Sequence, residues 1–108
     1  MINVFFYKNK DGNLCGFEFS SHAQSKVCAA VSALVINTAN SIGKFSGSRI
    51  VMDYNENGGF LKMIIQEPDI AAKLLLESLE LGINSLKEQH KRQIRTNNII
   101  ISKEKTLC

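Results

Sequence analysis

The stretch "SSHAQSKVCAAVSALV", residues 20 to 35, places one histidine, His22, six positions before one cysteine, Cys28. Sulfur and imidazole can together attack a carbonyl carbon: the thiolate supplies the electron pair, while the ring takes the thiol proton and later delivers it to a leaving amine. The position of the cysteine favours the ionised form. With Ser25 as N-cap, Cys28 falls in the first turn of a helix, where unpaired amides and the helix dipole attract an anion. Helix starts and neighbouring cations lower a thiol pKa from about 8.5 to roughly 3.5 to 7.5, and Lys26 stands two residues away. Amides at the same helix start can also hold the oxyanion of an acyl-transfer step. Taken alone, the pair is a weak signal that chance neighbours explain as well or better, with Cys28 a small buried hydrophobe.

Ser32 lies one helical turn beyond Cys28 on the same face, placed either to orient the thiol or to bond the preceding turn. No acidic residue is placed by the sequence as a third member, so a dyad of His22 and Cys28 is the economical assignment. Cys15 falls in mid-strand and Cys108 at the end of the sequence, and neither has a histidine nearby. Three cysteines without a Cys-x-x-Cys spacing argue against a disulfide framework and against a zinc site. No cofactor or metal is implied. His90, within "KEQHKRQ", reads as a solvated side chain at a helix end.

These side chains need elements to carry them. "INVFFYK" (2 to 8) and "NLCGFEF" (13 to 19) are aromatic-rich runs joined through Asp11-Gly12, a hairpin signature. From Val27 to Ile42 the apolar residues Val27, Ala30, Val31, Leu34, Val35 and Ile42 recur at helical spacing, with Gly43 as a stop. "SRIVMDY" (48 to 54) and "FLKMII" (60 to 65) flank "NENGG", a second hairpin in which Asn57-Gly58 takes the positive φ angles. Pro68-Asp69 opens a long helix with Ala71, Leu75, Leu79 and Leu86 along one stripe. Gly82 inside that helix costs about 1 kcal/mol and signals close packing. A β-branched run at Ile99 to Ile101 allows a fifth strand. The order is ββαββα(β), an α/β fold built as a small two-layer sandwich with helices on one face of the sheet.

With 108 residues and 44% hydrophobic content, the chain fits one domain over 1–108, with 103–108 expected as a flexible tail. The net charge of +3 is mild, and Lys87, Lys91, Arg92 and Arg95 read as a solvated helix end, so no specific nucleic acid is expected. The start "MINVFFYKNKDG" has no long apolar region and no run approaches a membrane span, so neither a signal peptide nor a membrane is expected, and the location expected is cytoplasmic.

Four segments together, "SHA" after a strand, "VCAAVSAL" at the first helix, "NGGFLKM" at the second hairpin and "LLLESLELGINSLKEQHK" in the second helix, resemble the ribosomal-processing cysteine protease family across roughly residues 1 to 95. The resemblance implies a homodimeric α/β sandwich that uses a Cys-His pair. Its implied task is to remove an N-terminal extension from a large-subunit ribosomal protein, the twenty-seventh by the usual naming. His22 matches the family's histidine in Gly-His-Ala, and Cys28 its cysteine in Asp-Ile-Val-Cys-Ala-Ala-Val-Ser. The substrate implied is an extended peptide with apolar and aromatic residues before the cut, held in a hydrophobic groove beside the first helix.

Three features depart from the pattern. Ser21 replaces the usual glycine, "SKVC" replaces Asp-Ile-Val-Cys, and the His-to-Cys interval is about half the usual length. The missing stretch would be a mobile, glycine-containing loop over the site. Since a true deletion there would impair substrate binding, the expectation is that loop residues are absent from the sequence and not from the protein. The alternative to a protease is a noncatalytic, ribosome-associated dimeric binding module in which Cys28 is only packed.

Overall fold

A computed structural model of the chain describes residues 1–22 and 24–101. The tail expected at 103–108, with Cys108, lies outside the described residues. Two hairpins, two helices and a last strand follow one another as β1 (Ile2–Lys8), β2 (Leu14–Ser21), α1 (Lys26–Phe45), β3 (Arg49–Tyr54), β4 (Phe60–Gln66), α2 (Ile70–Gln89) and β5 (Ile94–Ile100). The order ββαββαβ is the one the sequence implies, with the fifth strand present. Its run starts five residues earlier than the Ile99 to Ile101 segment that suggested it.

The sheet runs β3-β4-β2-β1-β5. β1 pairs antiparallel with β2, β2 with β4 and β3 with β4, while β5 lies parallel to β1. Alternate residues send Ile2, Val4 and Phe6 of β1, Phe17 and Phe19 of β2, Met63 and Ile65 of β4 and Ile94 of β5 into one buried cluster. Val31, Val35, Ala39 and Ile42 of α1 join it, as do Ala72, Leu76, Leu79 and Ile83 of α2. Both helices therefore cover the same face of the sheet.

Sequence periodicity locates the faces with small rotations. In α2 the buried stripe is Ala72, Leu76, Leu79 and Ile83, with Leu75 and Leu86 at its margin, so the expected stripe is displaced by about one residue. A leucine on either side satisfies the same spacing, and only the position of the sheet decides between them. α1 also passes through Gly43 and ends at Phe45, with Ser46 as C-cap bonding back to the Ile42 carbonyl. Gly43 has ordinary helical backbone and open space around it, so nothing there terminates a helix. In the second hairpin the positive φ angles fall on Gly58 (87°) and Gly59 (86°), not on Asn57. Two successive glycines take them without the steric cost an asparagine would meet.

Close approaches bring the layers together as Gly82 suggested. A Cβ there would meet Leu34 Cδ1 at 3.2 Å, so the glycine lets α2 lie close to α1. Gly16 is more constrained, because a Cβ on it would collide with the Met63 carbonyl across the β2–β4 pair.

Candidate active site

The site forms where three elements meet: the end of β2, the first turn of α1 and the β3–β4 turn. β2 ends at Ser21, which is 6% exposed and pairs with Ile2 of β1. Its amide donates to the Gly59 carbonyl at 2.9 Å. A Cβ on Gly59 would stand 2.9 Å from the Ser21 carbonyl oxygen, so the glycine is what allows the turn to come this close.

Residues 22 to 24 alone connect β2 to the N-cap Ser25. The 108-residue sequence is complete through this stretch, so the short His22-to-Cys28 interval belongs to the protein. The expectation that loop residues were missing is thereby corrected. The reason is geometric: α1 begins directly beside the end of β2, and no longer connection is required.

Ser25 Oγ accepts a hydrogen bond from the Cys28 amide at 3.1 Å, which places Cys28 at the third helical position as the spacing implied. The cysteine is half-buried, with its flank against the core. Its Sγ donates to Ser21 Oγ at 3.2 Å and lies 3.9 Å from Ser32 Oγ. The thiol thus sits between two hydroxyls, one from the strand and one from its own helix. Ser32 stands where sequence spacing put it. Ser21 was noted only as a departure from a motif, because nothing in its spacing shows that a strand end folds back over the helix.

His22 follows Ser21 and is exposed. Among the described residues no hydrogen bond joins it to Cys28 or to a carboxylate. The structure therefore brings Cys28 together with Ser21 and Ser32, and holds the imidazole on the adjoining connection. The Cys28 amide is already occupied by the N-cap, which leaves the Lys26 and Val27 amides, beyond reach of any intrahelical carbonyl, as donors for an oxyanion.

One depression adjoins the sulfur and a second lies beyond Ser32. The first is open and lined by Gln24, Ser25, Lys26, Cys28, Ala29 and Ser32. A second, apolar groove of about 330 Å³ runs between α1 and the second hairpin, with Ile36, Met52, Tyr54, Phe60 and Leu61 among its walls, and Ser32 borders both. This groove is the one expected beside the first helix. Ile36, Met52 and Tyr54 are about half exposed, at 54%, 49% and 57%.

Cys28 is a free cysteine, and Cys15 is buried in β2 with its Sγ 3.5 Å from the Tyr7 carbonyl oxygen. No three His, Cys, Asp or Glu side chains converge to hold a metal among the described residues. No helix there is long and apolar enough to cross a membrane.

The family model described as Cysteine protease Prp matches residues 1–95. The chain belongs to this family. Its Prp relatives include the ribosomal processing cysteine protease Prp of Bacillus subtilis (strain 168), 28% identical over 93% of this chain and 100% of the relative. The protein of the same name from Staphylococcus aureus (strain Mu50) is 25% identical over 90% and 98%. In three dimensions the chain resembles the crystal structure of an essential ribosomal processing protease Prp from S. aureus in complex with a covalently linked product peptide. The TM-score is 0.83 at 26% identity, over 92% of this chain and 100% of that one. A Streptococcus mutans protein, SMU.848, gives a TM-score of 0.74 at 29% identity, over 94% and 99%. The Prp fold is thus present from β1 to β5, with a short β2–α1 connection.

Proposed function

We propose that this chain is a cysteine endopeptidase that removes the N-terminal extension of a large-subunit ribosomal protein, the twenty-seventh, with Cys28 as nucleophile and His22 as general base and acid. The observation that carries the proposal is the Cys28 thiol in the first turn of α1, half-buried, free, and set in an open depression that Ser32 shares with an apolar groove. The S. aureus relative with its covalently linked product peptide supports it. Proton transfer from Sγ to the His22 ring frees the electron pair, and sulfur attacks the scissile carbonyl. The Lys26 and Val27 amides receive the oxyanion, the amine leaves with the proton, and water hydrolyses the thioester. An extended peptide lies along the groove with its apolar and aromatic side chains between α1 and the second hairpin. The family resemblance adds a homodimer and a cytoplasmic place of work.

The test is to incubate the protein with the extended ribosomal protein and weigh the products. Cutting within the extension by the native chain, and none by Cys28→Ala, is the expected result. The short connection of residues 22 to 24 favours one rival, a noncatalytic ribosome-associated dimeric module. Binding of the same ribosomal protein with no product formed would establish that rival. Gel filtration with light scattering reports the dimer in the same preparation.

A further inference from the structure

We propose that Ser21 is a positioning residue for Cys28: its hydroxyl takes the thiol's hydrogen bond in the resting protein and turns to donate to the sulfur once the proton has left. This rests on the reading of Cys28 as nucleophile.

Two separately anchored elements meet in this contact. Ser21 is held from both sides, by pairing with Ile2 on β1 and by its 2.9 Å amide bond to Gly59 in the β3–β4 turn. Cys28 is held by the N-cap bond from its own amide to Ser25 and by packing of its flank on the core. The 3.2 Å separation of Sγ from Ser21 Oγ is therefore set by backbone on each side, and not by two loose side chains finding each other. Ser32, at 3.9 Å, is the looser neighbour.

The chemistry gives the contact a direction. A thiol is a weak donor, so the resting bond contributes little, whereas a thiolate accepting from a hydroxyl makes a charge-assisted bond roughly twice as strong as a neutral one. A hydroxyl can rotate between the two roles. The bond therefore strengthens when sulfur becomes negative, which favours the ionised form. In the attack itself the S–H bond breaks and an N–H bond forms on His22, while Ser21 keeps its own proton throughout. The other titratable side chains on the elements meeting here are His22 beyond β2, Lys26 in the first turn of α1 and Glu56 in the β3–β4 turn. β1 brings no titratable side chain at that end of the sheet, and the Met1 amino group precedes Ile2, the partner of Ser21. A substitution at Ser21 leaves all of these in place.

The experiment follows the rate of iodoacetamide labelling at Cys28, read by mass spectrometry of its peptide, as a function of pH on the folded full-length chain. Ser21→Ala is expected to move the midpoint upward by about 0.5 to 1 unit, a roughly 3- to 10-fold smaller thiolate fraction at neutral pH. Ser21→Thr, which keeps a hydroxyl, is expected to restore it. Ser21→Gly, which keeps the backbone pairing, gives the same upward shift and serves where the alanine variant folds poorly. A profile in which Ser21→Ala and Ser21→Gly superimpose on the native chain, or are slowed equally at every pH, overturns the proposal. Cleavage assays separate the two readings. If Cys28→Ala still cuts, the nucleophile assignment fails whatever Ser21 does; if Cys28 is required and the labelling midpoint is unmoved, only the role of Ser21 fails.

Discussion

The two helices begin in opposite ways. At the start of α2 the N-cap is Asp69, and its carboxylate is fully engaged. Oδ1 accepts from the Ala72 amide and the Ser46 hydroxyl, both at 2.9 Å, and Oδ2 accepts from the Gly47 amide at 2.8 Å. The Asp69 amide in turn donates to Ser48 Oγ. That helix start carries its own anion and ties α2 to the segment leaving α1. At the start of α1 the cap is a neutral serine, the first turn has no acidic residue, and the residue at the third position is Cys28 beside an open depression. Equal helix dipoles are thus used differently: one is satisfied internally and serves stability, the other leaves its positive end to a sulfur and whatever approaches it.

Exchanging or removing the groups at the two starts should separate these roles. The largest expected effect is that of Cys28→Ala, a loss of about 10⁴-fold or more in cleavage of the ribosomal substrate, with thermal unfolding almost unmoved. His22→Ala should cost about 10²- to 10⁴-fold in cleavage, again with little change in unfolding, because the ring is exposed and bonds nothing in the core. A variant that unfolds early would mean His22 supports structure instead. Asp69→Ala should do the reverse, lowering the melting temperature by several degrees while Cys28 labels at the native rate.

The same carboxylate predicts a pH dependence. Bonding to the Ala72 amide first, then to Gly47 and Ser46, holds Asp69 below the usual carboxylate range. With the folded pKa below the unfolded one, its contribution is fully present above the unfolded value and is lost as pH falls through the folded one. Acid unfolding curves of the native chain and Asp69→Ala should therefore converge at low pH and diverge toward neutrality. Smallest is Ser25→Ala, which removes the α1 cap at about 1 kcal/mol in chemical denaturation and frees the Cys28 amide.

Much of this architecture is legible in the residues. The turn pairs Asp11-Gly12 and the Gly58-Gly59 region, the alternating aromatic strands and the Ser25 and Asp69 caps all act locally, so their effects are visible in short windows of sequence. What depends on distant partners is not. The rotation of the α2 stripe onto Ala72 and Leu76 follows from where the sheet lies. Gly43 resembles a stop only until the helix is seen to continue without strain. The seat of Cys28 shows the same division. Its place in a first helical turn and its neighbour Ser32 follow from spacing, whereas Ser21 reaches the sulfur because β1 and the second hairpin fix the end of β2. The short connection of residues 22 to 24 reads as a gap until α1 is seen to start beside β2.

The parallel pairing of β5 with β1 sets an order of birth. Strand β1 leaves the ribosome well before its partner and waits for residues 94–100 before its outer hydrogen bonds are met, across a loop of roughly ninety residues. Until then a nascent chain offers the backbone of β1 as a template for any other extended segment, including the same strand of a neighbouring nascent copy. Synthesis that stalls after α2 would therefore yield a chain with its Cys28 helix already made and its aggregation guard still unmade.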